Sequence, residues 1–377
     1  MEKKNQVPKY PPLRFPEFTD EWKECKISDY GTVVTGSTPS TKDVENYEDD
    51  GFLWASPADI DGNKFIERTK TTLSSKGFDK TRKLPPLSVL AVCIGSSIGK
   101  LAMAKNEMAT NQQINSIVSN PLHSPEFVYY AITSRFRSYL SAVAVQAVPI
   151  ISKSTFERLP NSTTSLPEQR KIAALLGLID ERIEVQNAII KEQEVAKTLL
   201  SKELLTPEDD WTEYAVQDCL TYEQPAKYIV KHTDYSSDST LTPVLTANKG
   251  FILGYTSEQG IYQKGACIIF DDFTLDCKYV PFAFKVKSSA IKILQARKGF
   301  DIRFMFEVIK SLSLSPFAHK RHYISEVEPI KVLVPSLAKQ ERVSRLFAAL
   351  DERLDVERAY TEQLKQQKAY LLRQMFI

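Results

Sequence analysis

Several short stretches of this chain carry the residue types that hold phosphates or read base edges. Gly95-Ser96-Ser97-Ile98-Gly99-Lys100 combines two glycines with hydroxyls and an ammonium group. It is not a nucleotide-binding P-loop. That pattern needs four residues between the glycines and Ser or Thr after the Lys, whereas three intervene here and Leu101 follows. Two readings stay open: a strand-to-strand turn whose glycines supply positive φ, or a loop approaching phosphate with Ser96, Ser97 and Lys100 as its polar groups. Asn111, Gln112 and Gln113 are consecutive amides, the groups that pair with base edges. Strand neighbours face opposite sides, so three in a row are not all expected to be buried. Hydrogen bonding inside the domain is the competing reading. The second half of the chain offers Asn248, Lys249, Lys278 and Tyr279, then Lys320, Arg321 and Tyr323. Lys320 and Arg321 suit phosphate contact, or simply a solvated face.

The same residues give little sign of catalysis. The four histidines, His123, His232, His319 and His322, have neither HExxH nor Cys/His metal spacing. His319 and His322 lie in Ala318-His319-Lys320-Arg321-His322-Tyr323, which reads as a basic, aromatic-flanked surface loop more readily than as a metal site. Asp271, Asp272 and Asp276 lack the downstream Glu-x-Lys of a nuclease core and read as turn or solvent-exposed acids. No catalytic, cofactor or metal residue is assigned. Five cysteines without a CxxC pair fit a reducing compartment. Met1 to Gln6 lacks an apolar signal core, and the apolar runs are too short to span a bilayer, so a cytoplasmic protein is expected. The net charge of +2 neither announces nor excludes a polyanionic partner.

The elements that must position these residues are visible because the chain repeats itself. Leu166-Pro167-Glu168-Gln169-Arg170 continues to Leu176, Ile179 and Asp180-Glu181-Arg182. Leu337-Ala338-Lys339-Gln340-Glu341 continues to Phe347, Leu350 and Asp351-Glu352-Arg353. The offset is constant at 171 residues (337 − 166). Each copy reads as one long helix following a mixed, strand-rich segment. Seam positions Ile172, Leu176, Ile179 and Ile183 in the first, and Phe347, Leu350, Leu354, Leu364 and Leu371 in the second, have coiled-coil spacing. They are the candidates for helix pairing and partner docking. Two unrelated helices, each packed on its own domain, are the plainer alternative. Ser165 is placed to cap the first helix, and Thr206-Pro207 ends it. The entrances Asp20-Glu21-Trp22 and Asp209-Asp210-Trp211 also echo, so the repeat unit is domain plus helix. About 30 helical residues make a rod of roughly 45 Å. Asp180-Glu181-Arg182 and Asp351-Glu352-Arg353 are either surface charge or groups that fix helix pairing. Tyr370, Leu371, Leu372, Met375 and Phe376 call for cover by another helix, with a partner subunit as one source.

Taken together, these motifs resemble the specificity subunits of type I restriction-modification systems. The helix opening Leu166-Pro167-Glu168-Gln169-Arg170 resembles that family's central region. Gly36-Ser37-Thr38-Pro39, Trp54-Ala55-Ser56-Pro57-Ala58-Asp59-Ile60 and the Gly95–Lys100 and Thr110–Asn115 stretches are similar to its target recognition domain. Val244–Phe251 and Ile269–Thr274 resemble a second variety of that domain. The second helix departs by lacking the proline of the first. The resemblance implies an α+β fold: two pseudo-repeated mixed α+β target recognition domains separated by two long antiparallel coiled-coil helices. The expected bounds are 1–165 and 207–335 for the domains, and 166–206 and 336–377 for the spacer helices.

The resemblance further implies a non-catalytic subunit that reads a bipartite, asymmetric site on double-stranded DNA. It would dock two adenine methyltransferase subunits and, where present, restriction subunits. S-adenosylmethionine, ATP and Mg would then be used by those partners, with no cofactor on this chain and no membrane contact. The rival expectation is a self-contained DNA-processing enzyme such as a nuclease. A coiled-coil adaptor with no DNA role is the third.

Overall fold

The computed structural model describes residues 9–142, 150–247, 250–312, 314 and 321–377. The chain divides into two compact units, Met1–Ile189 with Glu357–Ile377, and Ile190–Val356. The expected α+β class holds in both. The long helices run Leu166–Leu204 and Leu337–Gln374, so each gives residues to both units.

In the first unit, strands Gly31–Thr35, Ile114–Ser119, Val89–Val92, Leu101–Ala104 and Phe65–Ile66 form a sheet in that spatial order. Val89–Val92 reads as a continuous apolar run because it is buried on both faces. A smaller sheet sets Tyr47–Ala55 antiparallel to Thr72–Leu73 and parallel to Ala109–Thr110. Helix Pro125–Ala142, the head helix of this unit, lays Phe127, Ala131 and Phe136 into the core. Those are the positions its spacing assigns. Lys23–Lys26 pairs antiparallel with Pro160–Thr163, closing the unit beside the start of the long helix.

The second unit repeats this plan with almost no shared sequence. Leu220–Glu223, Ile291–Ala296, Cys267–Asp271 and Cys277–Val280 form a sheet in the same spatial order as the first four strands of its counterpart. Thr242–Leu245 runs antiparallel to Ile252–Thr256 and parallel to Lys285–Val286. Helix Ile302–Ser311 is the head helix, capped by the Asp301 carboxylate on the Phe304 amide at 2.8 Å. Thr212–Ala215 with Lys331–Val334 closes this unit.

Within each unit the two long helices meet and run antiparallel. In the first, Asp180 pairs with Lys368 and Gln186 with Glu357. In the second, Lys197 near the end of one helix pairs with Asp351 of the other. The seam residues serve the heads as much as the helix pair. Ile172, Leu176, Ile179 and Leu371 are buried in one core with Trp22, Phe127 and Tyr130, and Ile183 packs partly against it. Phe347 lies in the other core with Trp211 and Phe304, and Leu350 packs against it. Leu354 and Leu364 are also buried.

The first head covers most of the apolar helix end. Leu371, Met375 and Phe376 are covered by the first head, where Phe376 meets Trp22 edge-on at 5.9 Å. Tyr370 alone of that set is exposed.

Candidate nucleic-acid interface

In the first head, the sequence motifs converge on one place. Gly36 runs so close to the Thr110–Asn111 backbone that a Cβ there would sit 2.1 Å from the Asn111 carbonyl. Ser37 N–H donates to the Thr110 carbonyl at 2.8 Å, and Trp54 Nε1 donates to the Ser37 carbonyl at 3.0 Å. The Asn111 amide donates to the Ala55 carbonyl at 2.9 Å. Asn111 is buried. Its side chain donates to Gln113 Oε1 and accepts from the Gln113 amide, both at 3.0 Å. Its side chain therefore braces the loop that carries Gln112 and Gln113. Gln112 is exposed and bonded to Thr38 through its Oε1, and Gln113 is half-buried. An amide held by its oxygen keeps its two N–H donors for a partner.

The glycine loop is a hairpin between Val89–Val92 and Leu101–Ala104. Gly95 and Gly99 have φ of 93° and 94°, as the turn reading requires. The amides of Ile98, Gly99 and Lys100 donate within the hairpin. Backbone cradling of phosphate is thus unavailable at those three residues. The Ser96 hydroxyl and the Lys100 ammonium are exposed and Ser97 is half-buried. Arg82 is a group that sequence reading missed. It is exposed, with Nη1 donating to the Thr35 and Gly36 carbonyls at 2.6 and 3.2 Å.

The second head places its candidates differently. Asn248, Lys249 and Lys320 lie outside the described residues, as does His319. Lys278 is exposed on the edge strand of its sheet. Tyr279 faces the other way, with the Arg303 guanidinium 4.7 Å from its ring and Phe306 at 6.0 Å. It packs the head helix, and its phenol is pushed up by burial. Arg321 is exposed, 4.0 Å from Asp272. Tyr323 is fully buried against Phe270 and Tyr222, so it is a core residue and cannot meet DNA. Asp271 and Asp272 are buried rather than solvent-exposed. Asp271 Oδ1 accepts the Phe273 and Thr274 amides, and Asp272 Oδ1 accepts those of His322 and Tyr323. Asp272 also faces Lys292 at 3.6 Å, both nearly fully buried. Among the described residues, no group of three or more His, Cys, Asp or Glu is placed to hold a metal ion.

The shared sheet order identifies further residues in the second head. Ala55 pairs with Thr110 in one head and Leu245 with Val286 in the other. The next amide closes on the same carbonyl in each: Asn111 to Ala55 at 2.9 Å, and Lys287 to Leu245 at 3.1 Å. Lys287, Ser288 and Ser289 therefore stand where the first head has Asn111, Gln112 and Gln113, and all three are exposed. No motif in the sequence marks them, because the equivalence exists only through strand pairing.

The helices carry matched anchors for the heads. Gln169 and Gln340 are both buried to 1% exposure. Gln169 Oε1 accepts the Ser124 amide at 2.9 Å, at the entrance of one head helix, and its Nε2 donates to the Thr164 carbonyl at 2.7 Å. Gln340 Oε1 accepts the Asp301 amide at 2.9 Å, at the entrance of the other, and its Nε2 donates to the Pro335 carbonyl at 2.9 Å. The position before each Gln has exchanged charge. Glu168 takes the Arg14 guanidinium at 2.7 and 2.8 Å and Trp22 Nε1 at 3.3 Å. Burial works to raise its pKa, but the bonds from Arg14, Thr164 and Trp22 prevail and hold it below the usual value. Lys339 instead pairs with Glu208 at 2.7 Å, with its ammonium 5.7 Å from the Trp211 ring.

A framework built twice, mounted each time on segments of the same two helices and presenting different exposed groups, defines a duplicated α+β protein with two dissimilar heads. Residues 19–194 match the family described as the Type I restriction modification DNA specificity domain. The Escherichia coli EcoR124I/EcoR124II type I restriction enzyme specificity subunit is 44% identical over 154 residues, covering 36% of this chain and 38% of that protein. The Methanocaldococcus jannaschii MjaIX specificity subunit is 29% identical over 180 residues, covering 46% and 41%. The chain thus spans less than half the length of these relatives. In fold, it is similar to the crystal structure of a type I restriction-modification S subunit from M. genitalium. The TM-score is 0.65 at 16% identity, over 98% of this chain and 99% of that one. A chain from a structural study of complex assembly and conformational transition in the type I R-M system gives 0.55 at 14% identity, over 96% and 98%. The resemblance to type I specificity subunits therefore holds.

Proposed function

We propose that this chain is the DNA specificity subunit of a type I restriction-modification complex. It reads a bipartite, asymmetric site on double-stranded DNA, one half-site per head. It docks two adenine methyltransferase subunits, and restriction subunits where present. In this reading the chain is not itself an enzyme, and S-adenosylmethionine, ATP and Mg serve its partners in the cytoplasm. No helix among the described residues is long and apolar enough to cross a membrane.

The carrying observation is one head framework used twice with different exposed groups. Exposed Gln112 and half-buried Gln113 follow the Ala55–Thr110 pair in the first head, and exposed Lys287, Ser288 and Ser289 follow the Leu245–Val286 pair in the second. A reader of two identical half-sites would reuse one surface. Support for two copies of one partner comes from the helices. Val185 and Val356, 171 residues apart (356 − 185), are 59% and 62% exposed, and Leu199 and Tyr370 repeat the pattern at 61% and 52%. Exposed apolar positions recurring at the repeat offset suit the same partner bound twice.

The test is co-expression with modification subunits followed by sequencing of methylated adenines. Exchanging residues 1–165 for another recognition domain is expected to change one half-site only. Inserting four residues in the first long helix lengthens it by about 6 Å and is expected to change the preferred spacer while leaving the half-sites alone. Altered half-sites at an unchanged spacer count against this reading. So does turnover of DNA by the purified chain with Mg and ATP.

A further inference from the structure

The aspartates of the two Asp-Glu-Arg triplets are not plain surface charge, although Glu181, Arg182, Glu352 and Arg353 are exposed. Asp180 is buried where three elements of the first unit meet. Its Oδ2 accepts the Tyr130 hydroxyl of the head helix at 2.6 Å, and its Oδ1 meets the Lys368 ammonium of the second long helix at 2.5 Å. Lys64, itself buried, holds its ammonium 5.1 Å from the Tyr130 ring beside the same group. In the second unit Asp351, which is half-buried, also joins the other long helix to the head helix, with an arginine where the first unit uses a tyrosine. Its Oδ1 takes Lys197 of the first long helix, and its Oδ2 takes Arg303 of the head helix. Both the acid and its lysine obey the repeat: 351 − 180 and 368 − 197 are each 171. Arg303 is fixed in turn by Glu307 at 3.1 Å and by the Tyr279 and Phe306 rings.

We propose that Asp180 and Asp351 are positioning residues. Each sets the angle at which its head is carried on the helix pair, and together they set how strictly the spacing between half-sites is read. This rests on the reading of the chain as a bipartite specificity subunit. The chemistry suits the role. An apolar seam is tolerant of sliding and rocking, because burial is non-directional. A carboxylate with one oxygen committed to the other helix and one to the head is satisfied in a single arrangement. Polar groups in helix seams fix register in this way. Duplication of the acid and its lysine, in two heads whose sequences otherwise diverged, is what a shared geometric requirement leaves behind.

The experiment uses the chain in complex with its modification subunits. The substrates are duplexes carrying the two half-sites, with the spacer varied one base pair at a time. The unaltered complex is expected to methylate one spacer at least tenfold faster than its neighbours. The Asp180→Asn, Asp351→Asn double variant is expected to discriminate less than threefold with the half-sites unchanged. Exchange of the pair, Asp180→Lys with Lys368→Asp, is expected to recover part of the discrimination lost in Asp180→Lys alone. Retained tenfold discrimination, or equal loss at every spacer, overturns the proposal. Should the Asn variants fail to fold, Tyr130→Phe, which removes a single hydroxyl, decides by the same criterion.

A second readout needs no DNA. Spin labels at Lys42→Cys and Lys298→Cys, with Cys25 and Cys277 replaced by Ser, report the distance distribution between the heads of the full chain. Broadening in the Asn variants supports the positioning role, and an unchanged width overturns it. If the unaltered complex shows no need for two half-sites, the proposed function falls and the label distances still judge this inference.

Discussion

Removing the amide of Gln169 tests whether the long helices hold the heads through specific buried bonds. Gln169→Ala deletes the acceptor of the Ser124 amide and the donor to the Thr164 carbonyl. Ser124 is buried, whereas Thr164 is half-buried and open to replacement by water. An orphaned buried group costs about 1–3 kcal/mol, and the space vacated by the side chain adds to that. The sum is about 2–4 kcal/mol, with Ser124 carrying most of it. The measurement is hydrogen exchange read peptide by peptide. At about 1.4 kcal/mol per tenfold, the Pro125–Ala142 helix should exchange roughly thirty to several hundred times faster, while Ile302–Ser311 keeps its protection. Gln340→Ala should reverse the pattern, since its amide serves Asp301, Pro335 and the weaker Gly299 contact at 3.4 Å. A change under about 0.5 kcal/mol, or equal loss in both head helices, refutes the reasoning.

Acid should weaken the first head partly through Glu168, whose carboxyl sits below its ordinary 4.5. A depressed carboxyl stabilises the fold above its unfolded value and loses that contribution as pH falls through the folded one. Thermal unfolding from pH 7 to pH 3 should therefore show a shallower acid loss in Glu168→Gln. Asp351, also lowered, against burial, by Lys197 and Arg303, should act likewise in the second unit. Phe376→Ala should cost the first unit about 3–5 kcal/mol in denaturant unfolding, as for other buried aromatics; exchange protection in the second unit should not move. Lys287→Ala should weaken or relax recognition of one half-site, read by sequencing methylated adenines; a change in both half-sites refutes the assignment of Lys287 to a single reader.

How far the sequence foretold this depends on whether the signal was local. The helices, the Gln at 169 and 340 and the Asp at 180 and 351 recur at a fixed offset, so the eye finds them in one dimension. Their function in holding heads does not show, because the groups they meet, Ser124, Asp301, Tyr130 and Arg303, share no motif. The common sheet order was invisible for a similar reason. Strand pairing is non-local, and Lys287 is the counterpart of Asn111 only through the parallel pairs Ala55–Thr110 and Leu245–Val286. Tyr323 was misjudged through its neighbours: a basic run suggested a surface, while the Asp272 carboxylate pulls the His322 and Tyr323 amides inward. Met375 and Phe376 looked uncovered because their cover, Trp22 and Phe127, lies hundreds of residues earlier.

The pattern of what repeats and what diverges fits the physics of the proposed reader. Groups that fix a head on its helices must satisfy buried polar partners. Leaving one of those unpaired costs more than most substitutions gain. Groups that meet a base edge face solvent in the free protein, where replacement is nearly neutral for stability. Gln112 can therefore stand opposite Ser288 in the two heads while Gln169 and Gln340 stay identical. The exchange of Glu168 for Lys339 marks the limit of that freedom. The new lysine found Glu208, but among the described residues it left Trp211 Nε1 without the acceptor that Trp22 retains. Lys339→Glu would supply that acceptor but place a third acid beside Glu208 and Asp210. A net loss of stability in that variant, recovered by adding Glu208→Lys, is expected if charge pairing outweighs the indole bond at this position.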